Sequence, residues 1–102
     1  MTILAYRYRI KSHVRFRETR AVFTIAQTIV ELLHGWSQLQ LDARFDVDET
    51  QRTWLIHADS DVGRDLNRLF IGMLATQCGE NSFVVERCEV DTRAAQPVGV
   101  AA

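Results

Sequence analysis

The chain has 102 residues, 47% of them hydrophobic and 25% charged, with a formal net charge of −1. That composition suits one globular domain with a single core and excludes wholesale disorder. Charges interrupt every apolar stretch before it could cross a bilayer, and 1-MTILAYRYR-9 reaches arginine too early for the apolar segment of a signal peptide, so no membrane association and a cytoplasmic location are the expectations.

The charge is unevenly placed. Residues 1–20 hold Arg7, Arg9, Lys11, Arg15, Arg17 and Arg20 against Glu18 alone, a balance of +5, while six arginines against twelve acids leave the rest at −6. Such asymmetry marks either an interaction surface or two parts of one fold that attract each other.

From Leu4 to Arg17 the pattern has period two. Leu4, Tyr6, Tyr8, Ile10, Val14 and Phe16 share one parity, and Arg7, Arg9, Lys11, His13, Arg15 and Arg17 share the other. Side chains alternate across a strand, so this reads as a strand with an apolar and a basic face. A helix follows over roughly 18–34. Its apolar positions, Phe23 and Val30 among them, spread over about 200°, wider than one sheet covers, which predicts contact with a second helix or another subunit. Gly35 stands where a left-handed cap ends the helix. Residues 39–47 alternate again and, after the turn 48-DETQ-51, pair with 52-RTWLIHA-58 as a hairpin. Asp59, Ser60 and Asp61 supply helix-capping groups, and a second helix runs to about Gln77, ended by Gly79. Gly72 inside it costs about 1 kcal/mol relative to alanine, which predicts close approach of another backbone there. A last strand spans 82-SFVVERCEV-90.

The order β-α-β-β-α-β resembles the ferredoxin-like sandwich, an α+β fold with a four-stranded antiparallel sheet and two helices on one face. Residues 1–92 form the single domain, and 93-RAAQPVGVAA-102 is a tail without periodicity. The resemblance is one of topology, and the topology hosts too many activities to imply one.

Three functional readings follow. The leading one is a non-catalytic protein that associates with itself, as a dimer or higher oligomer, and binds a small ligand or a protein. Fourteen extended residues would span roughly 46 Å, beyond an ordinary strand. The overhang would leave Val14 and Phe16 bare, and a second copy is the simplest cover. Val14, Phe16, Phe23, Val30, Val98 and Val100 are therefore the expected interface, with the tail held by a neighbouring subunit. The second reading is a nucleic-acid module. Strand residues two apart are separated by about 6.7 Å, close to the roughly 6.8 Å that two steps along one DNA strand advance on the helix axis, so Arg7, Arg9, Lys11, Arg15 and Arg17 could track a backbone. A pI near 6.3 opposes it, and carboxylates on neighbouring strands would answer the arginines across the sheet. The third is an enzyme with a subunit-interface site around His57 and Asp59, two apart on one strand face, where a carboxylate raises imidazole basicity.

No residue set points to a cofactor. Asp46, Asp48 and Glu49 lack the glycine and distal glutamate of a calcium loop and read as an acidic turn, placed at the far end of the third strand from the 59–61 corner. His13, His34 and His57 share no metal-ligand spacing. Cys78 and Cys88 fit no zinc or redox spacing and read as small buried hydrophobes. Trp36, Trp54, Tyr6, Tyr8, Phe45 and Phe83 form the core or line a cavity.

Overall fold

The computed structural model of the chain describes residues 2–91. The elements run β1 (Thr2–Ile10), α1 (Phe16–His34), α2 (Trp36–Asp42), β2 (Phe45–Asp48), β3 (Thr53–His57), α3 (Asp61–Gln77), a 3-10 turn (Glu80–Ser82) and β4 (Phe83–Asp91). This is an α+β fold whose four strands form one antiparallel sheet in the order β2-β3-β1-β4. In β1, Tyr8 lies between Trp54 and Val85, while Arg7 lies between Leu55 and Glu86. Even-numbered β1 residues thus face the helices and odd-numbered ones face away.

The core lies on the helix side. Phe23 of α1 and Phe70 of α3 both reach it, with Phe70 4.9 Å from the Tyr8 ring, edge to face, and 5.4 Å from Phe23 and Trp54. Each such pair adds about 0.5–1.5 kcal/mol beyond its buried area. The polar ends of these rings are answered. Trp54 Nε1 donates to Thr19 Oγ1 at 2.9 Å, and that hydroxyl donates to the Phe16 carbonyl at 2.6 Å. The Tyr8 hydroxyl donates to Asn67 Oδ1. Of the expected aromatic set, Tyr8 and Trp54 are core and Tyr6 and Phe83 pack against it, whereas Phe45 is partly exposed with its ring 4.5 Å from Phe23, and Trp36 stands in solvent.

The first strand is shorter than its alternation suggests. It ends at Ile10, a turn closes with Val14 N–H donating to Lys11 O, and α1 begins at Phe16. A distant residue ends it. Arg52 donates from Nε to Ile10 O at 3.2 Å and from Nη2 to Lys11 O at 2.8 Å and to Val14 O. Those carbonyls, turned onto a guanidinium, cannot continue a ladder. Arg52 itself sits at φ 57°, a left-handed conformation uncommon for any residue other than glycine. Val14 and Phe16 are buried, Phe16 stacking on Trp54, so no overhanging strand leaves them bare.

The alternation of 39–47 is also corrected. Gly35, at φ 90°, turns the chain out of α1, and Leu39 N–H then donates to Gly35 O in a further short helix, α2. Only Leu39 of α2 is buried, and strand structure is confined to Phe45–Asp48. The described residues thus carry three α-helices. At the next corner Ser60 caps α3 as its sequence suggests, its Oγ accepting from Gly63 N–H at 3.0 Å. Gly72 is exposed, and a Cβ there would meet nothing within 4 Å. The close approach falls instead at Gly63, where a Cβ would stand 2.2 Å from His57 O.

Candidate functional site

The odd-numbered face of β1 carries Arg7 and Arg9 towards β4. Arg7 Nη1 lies 3.2 Å and Arg9 Nη2 3.5 Å from the same carboxylate oxygen, Glu86 Oε1, across the Arg7–Glu86 register pair. Two cations on one exposed acid form a solvated cluster contributing at most about 1 kcal/mol per pair. The other members of the expected basic row leave the strand. Lys11 stands in the turn, Arg15 precedes α1 as its N-cap residue, and Arg17 lies in the first helical turn. The regular 6.7 Å row that would follow phosphates is therefore not formed beyond Arg9, because the chain turns at Lys11.

His57 and Asp59 part company. His57, at the end of β3, is buried, whereas Asp59 is exposed in the bend before α3. The carboxylate near His57 is Asp46, whose Oδ2 lies 3.8 Å from Nε2. This corrects the placement of all three hairpin acids at the far end of β3, since Asp46 pairs with Leu55 within the ladder. The imidazole Nδ1 is buried without a hydrogen-bond partner among the described residues. Asp48 Oδ1 accepts from Gln51 N–H at 3.0 Å, and Glu49 Oε1 lies 3.5 Å from Arg20 Nε, so these acids stabilise the turn and its contact with α1. His34 Nε2 lies 2.7 Å from Asp65 Oδ2, tying the end of α1 to α3.

Both cysteines are free and half-buried rather than fully buried, with Cys78 packed against the core. Burial pushes the Cys78 thiol pKa up, with the charge of Glu18 adding to it. Cys88 lies opposite Ala5 on the helix-free face of β4.

The proposed interface residues need relocation. Val14, Phe16, Phe23 and Val30 are all buried within the single chain, where they pack into the core. Val98 and Val100, with the rest of the tail, lie outside the described residues. Open apolar surface lies elsewhere: besides Val84 and Phe45 on the sheet, Ile25, Leu32, Leu33, Trp36 and Leu41 of the helices are 50%, 81%, 67%, 64% and 70% exposed. At 100° per residue, Ala21, Ile25, Thr28 and Leu32 fall within about 60° of one another on α1, on the side away from Val22, Phe23, Ala26 and Val30. The wide apolar arc of this helix is thus two stripes. One is used by the core and the other ends at Leu32, while Leu33, about 100° further round on the core side, is left open where the helix ends before Gly35 and Trp36. Single exposed leucines are unremarkable, but five large apolar side chains on α1 and α2 mark a surface.

Compared with known proteins, the chain matches no family model, no curated protein and no solved structure. Among the described residues, no helix is long and apolar enough to cross a membrane.

Proposed function

We propose that the chain is a small, non-catalytic interaction protein that works as a homo-oligomer, burying the outer face of α1 and α2 against a second copy. In this reading the strand order β2-β3-β1-β4 with its split crossovers is that of a ferredoxin-like sandwich, to which α2 is an addition. The observation that carries the proposal is the exposure of Leu32, Leu33, Trp36 and Leu41. Each, once covered, contributes about 1.5–3 kcal/mol, enough in sum to offset the loss of free tumbling on association. The charges on the helix-free face are partly spent on one another through Glu86.

Sedimentation velocity at micromolar concentration tests it. Leu32→Glu combined with Trp36→Glu changes only solvent-facing positions, so far-UV circular dichroism and melting of the subunit should be preserved while the sedimenting species becomes smaller. Identical sedimentation of wild type and double variant removes the proposal.

A further inference from the structure

The outer edge of β4 carries a second, more specific contact. Lys11 N–H donates to Ser82 O at 2.9 Å, while Ile10 N–H donates to Arg52 O at 2.9 Å and Ala58 N–H to Leu4 O at 2.8 Å. Odd-numbered residues of β1 therefore turn their backbone groups towards β4, and even-numbered ones towards β3. Across the register, Val84, Glu86 and Cys88 of β4 answer β1, and Val85, Arg87 and Glu89 point their N–H and C=O groups outward. Among the described residues no strand takes them up. The side chains of Arg87 and Glu89 are exposed, so nothing described shields this edge. An edge of nine residues with free ladder groups is a template for another strand.

We propose that this edge pairs antiparallel with β4 of a second copy about a two-fold axis through Cys88. A two-fold axis normal to the sheet pairs residues of equal parity, and charge then selects among registers. Centring on Glu86 sets glutamate against glutamate, centring on Arg87 sets arginine against arginine, and centring on Glu89 again opposes two carboxylates. Centring on Cys88 places Arg87 opposite Glu89 twice, with opposite charges facing each other. In that register Arg87 and Glu89 of facing strands exchange their outward N–H and C=O groups. Cys88 faces its own copy as a non-hydrogen-bonded pair, with Cα atoms about 4.5 Å apart. That separation falls within the roughly 4.4–6.8 Å that a disulfide spans. The proposal rests on the self-association reading for the identity of the partner, but it uses a different surface. Two different two-fold contacts on one chain build assemblies larger than a dimer.

The test uses the full chain with and without Leu32→Glu/Trp36→Glu. Diamide takes two electrons and two protons from a pair of thiols, so facing Cys88 side chains should yield a covalent dimer on a non-reducing gel. The product should persist in Cys78→Ser and vanish in Cys88→Ser. Arg87→Glu and Glu89→Arg each turn both cross-strand pairs into like charges and should weaken the dimer about tenfold. The double reversal Arg87→Glu/Glu89→Arg should restore it. A covalent dimer formed through Cys78, no covalent dimer, or single reversals without effect would overturn the register. Protected β4 amides in a monomer would overturn the second copy as occupant. The two proposals fail separately. If only the α1–α2 surface is wrong, the Leu32→Glu/Trp36→Glu variant sediments like wild type and still cross-links. If only the edge is wrong, that variant is a monomer that does not cross-link.

Discussion

Replacing Gly63 by alanine sets a methyl carbon 2.2 Å from His57 O and 3.2 Å from the carbonyl carbon behind it. Carbon and carbonyl oxygen rarely approach closer than about 3.3 Å, so either α3 or β3 must yield by about 1 Å. Neither is free to move. The first turns of α3 bury Val62 and Leu66, and β3 is central in the sheet. Overpacking of this kind costs about 1–3 kcal/mol, and distortion of the Ser60 cap adds about 1 kcal/mol, against about 1 kcal/mol gained from alanine's helix propensity. The expected net loss is about 1–3 kcal/mol. Gly72→Ala in the same helix is the control. It is exposed with nothing within 4 Å, so the propensity gain of about 1 kcal/mol is kept. Urea unfolding at one protein concentration should therefore move the two midpoints in opposite directions. With a slope of about 1–3 kcal/mol per molar urea, they should separate by about 1 M or more. Upward shifts in both variants would refute the close approach at Gly63.

Arg52→Ala removes the donors held by the carbonyls of Ile10, Lys11 and Val14 and should lower stability by about 2–4 kcal/mol in thermal or urea melts. Arg52→Gly loses the same donors but accepts φ 57° without strain, so it should fall short of that loss by up to about 1 kcal/mol. Burial pushes the Tyr8 phenol pKa well above its ordinary range, with Tyr6 adding to the shift. The unfolded chain releases this proton near pH 10 while the folded chain keeps it, so the unfolded state binds fewer protons above that pH and stability falls as pH rises. Below pH 10 both states are protonated and Tyr8 contributes no slope. Denaturation midpoints measured from pH 8 to 11 should show this alkaline fall in wild type and a shallower one in Tyr8→Phe.

The helices ending at Gly35 and Gly79, the Ser60 cap and the division of the first strand into apolar and basic faces can all be read from the residues alone. Each depends on groups within a few positions of one another: a glycine free to take positive φ, a hydroxyl three residues before an N–H, side chains alternating on one extended segment. Arg7 and Arg9 finding a carboxylate across the sheet also follows from parity, once β4 is beside β1.

Tertiary structure decided the rest. The alternation through Val14 and Phe16 looks like continued strand because both residues are buried, but a turn and a helix bury them, and the groups that impose this belong to Arg52 and Trp54. Residues 36–42 are too few for periodicity to distinguish helix from strand, and the bend at Gly35 settled the matter. Nothing local separates Gly63 from Gly72, since only the His57 carbonyl does so. Likewise, 86-ERCE-89 shows its charges in sequence, yet pairing with β1 determines which backbone groups of β4 remain for a partner. A chain's local pattern records which of its sides is apolar. Which of those sides is covered depends on groups tens of residues away, and in this protein that difference moves the open apolar surface from the end of β1 to the outer face of α1 and α2.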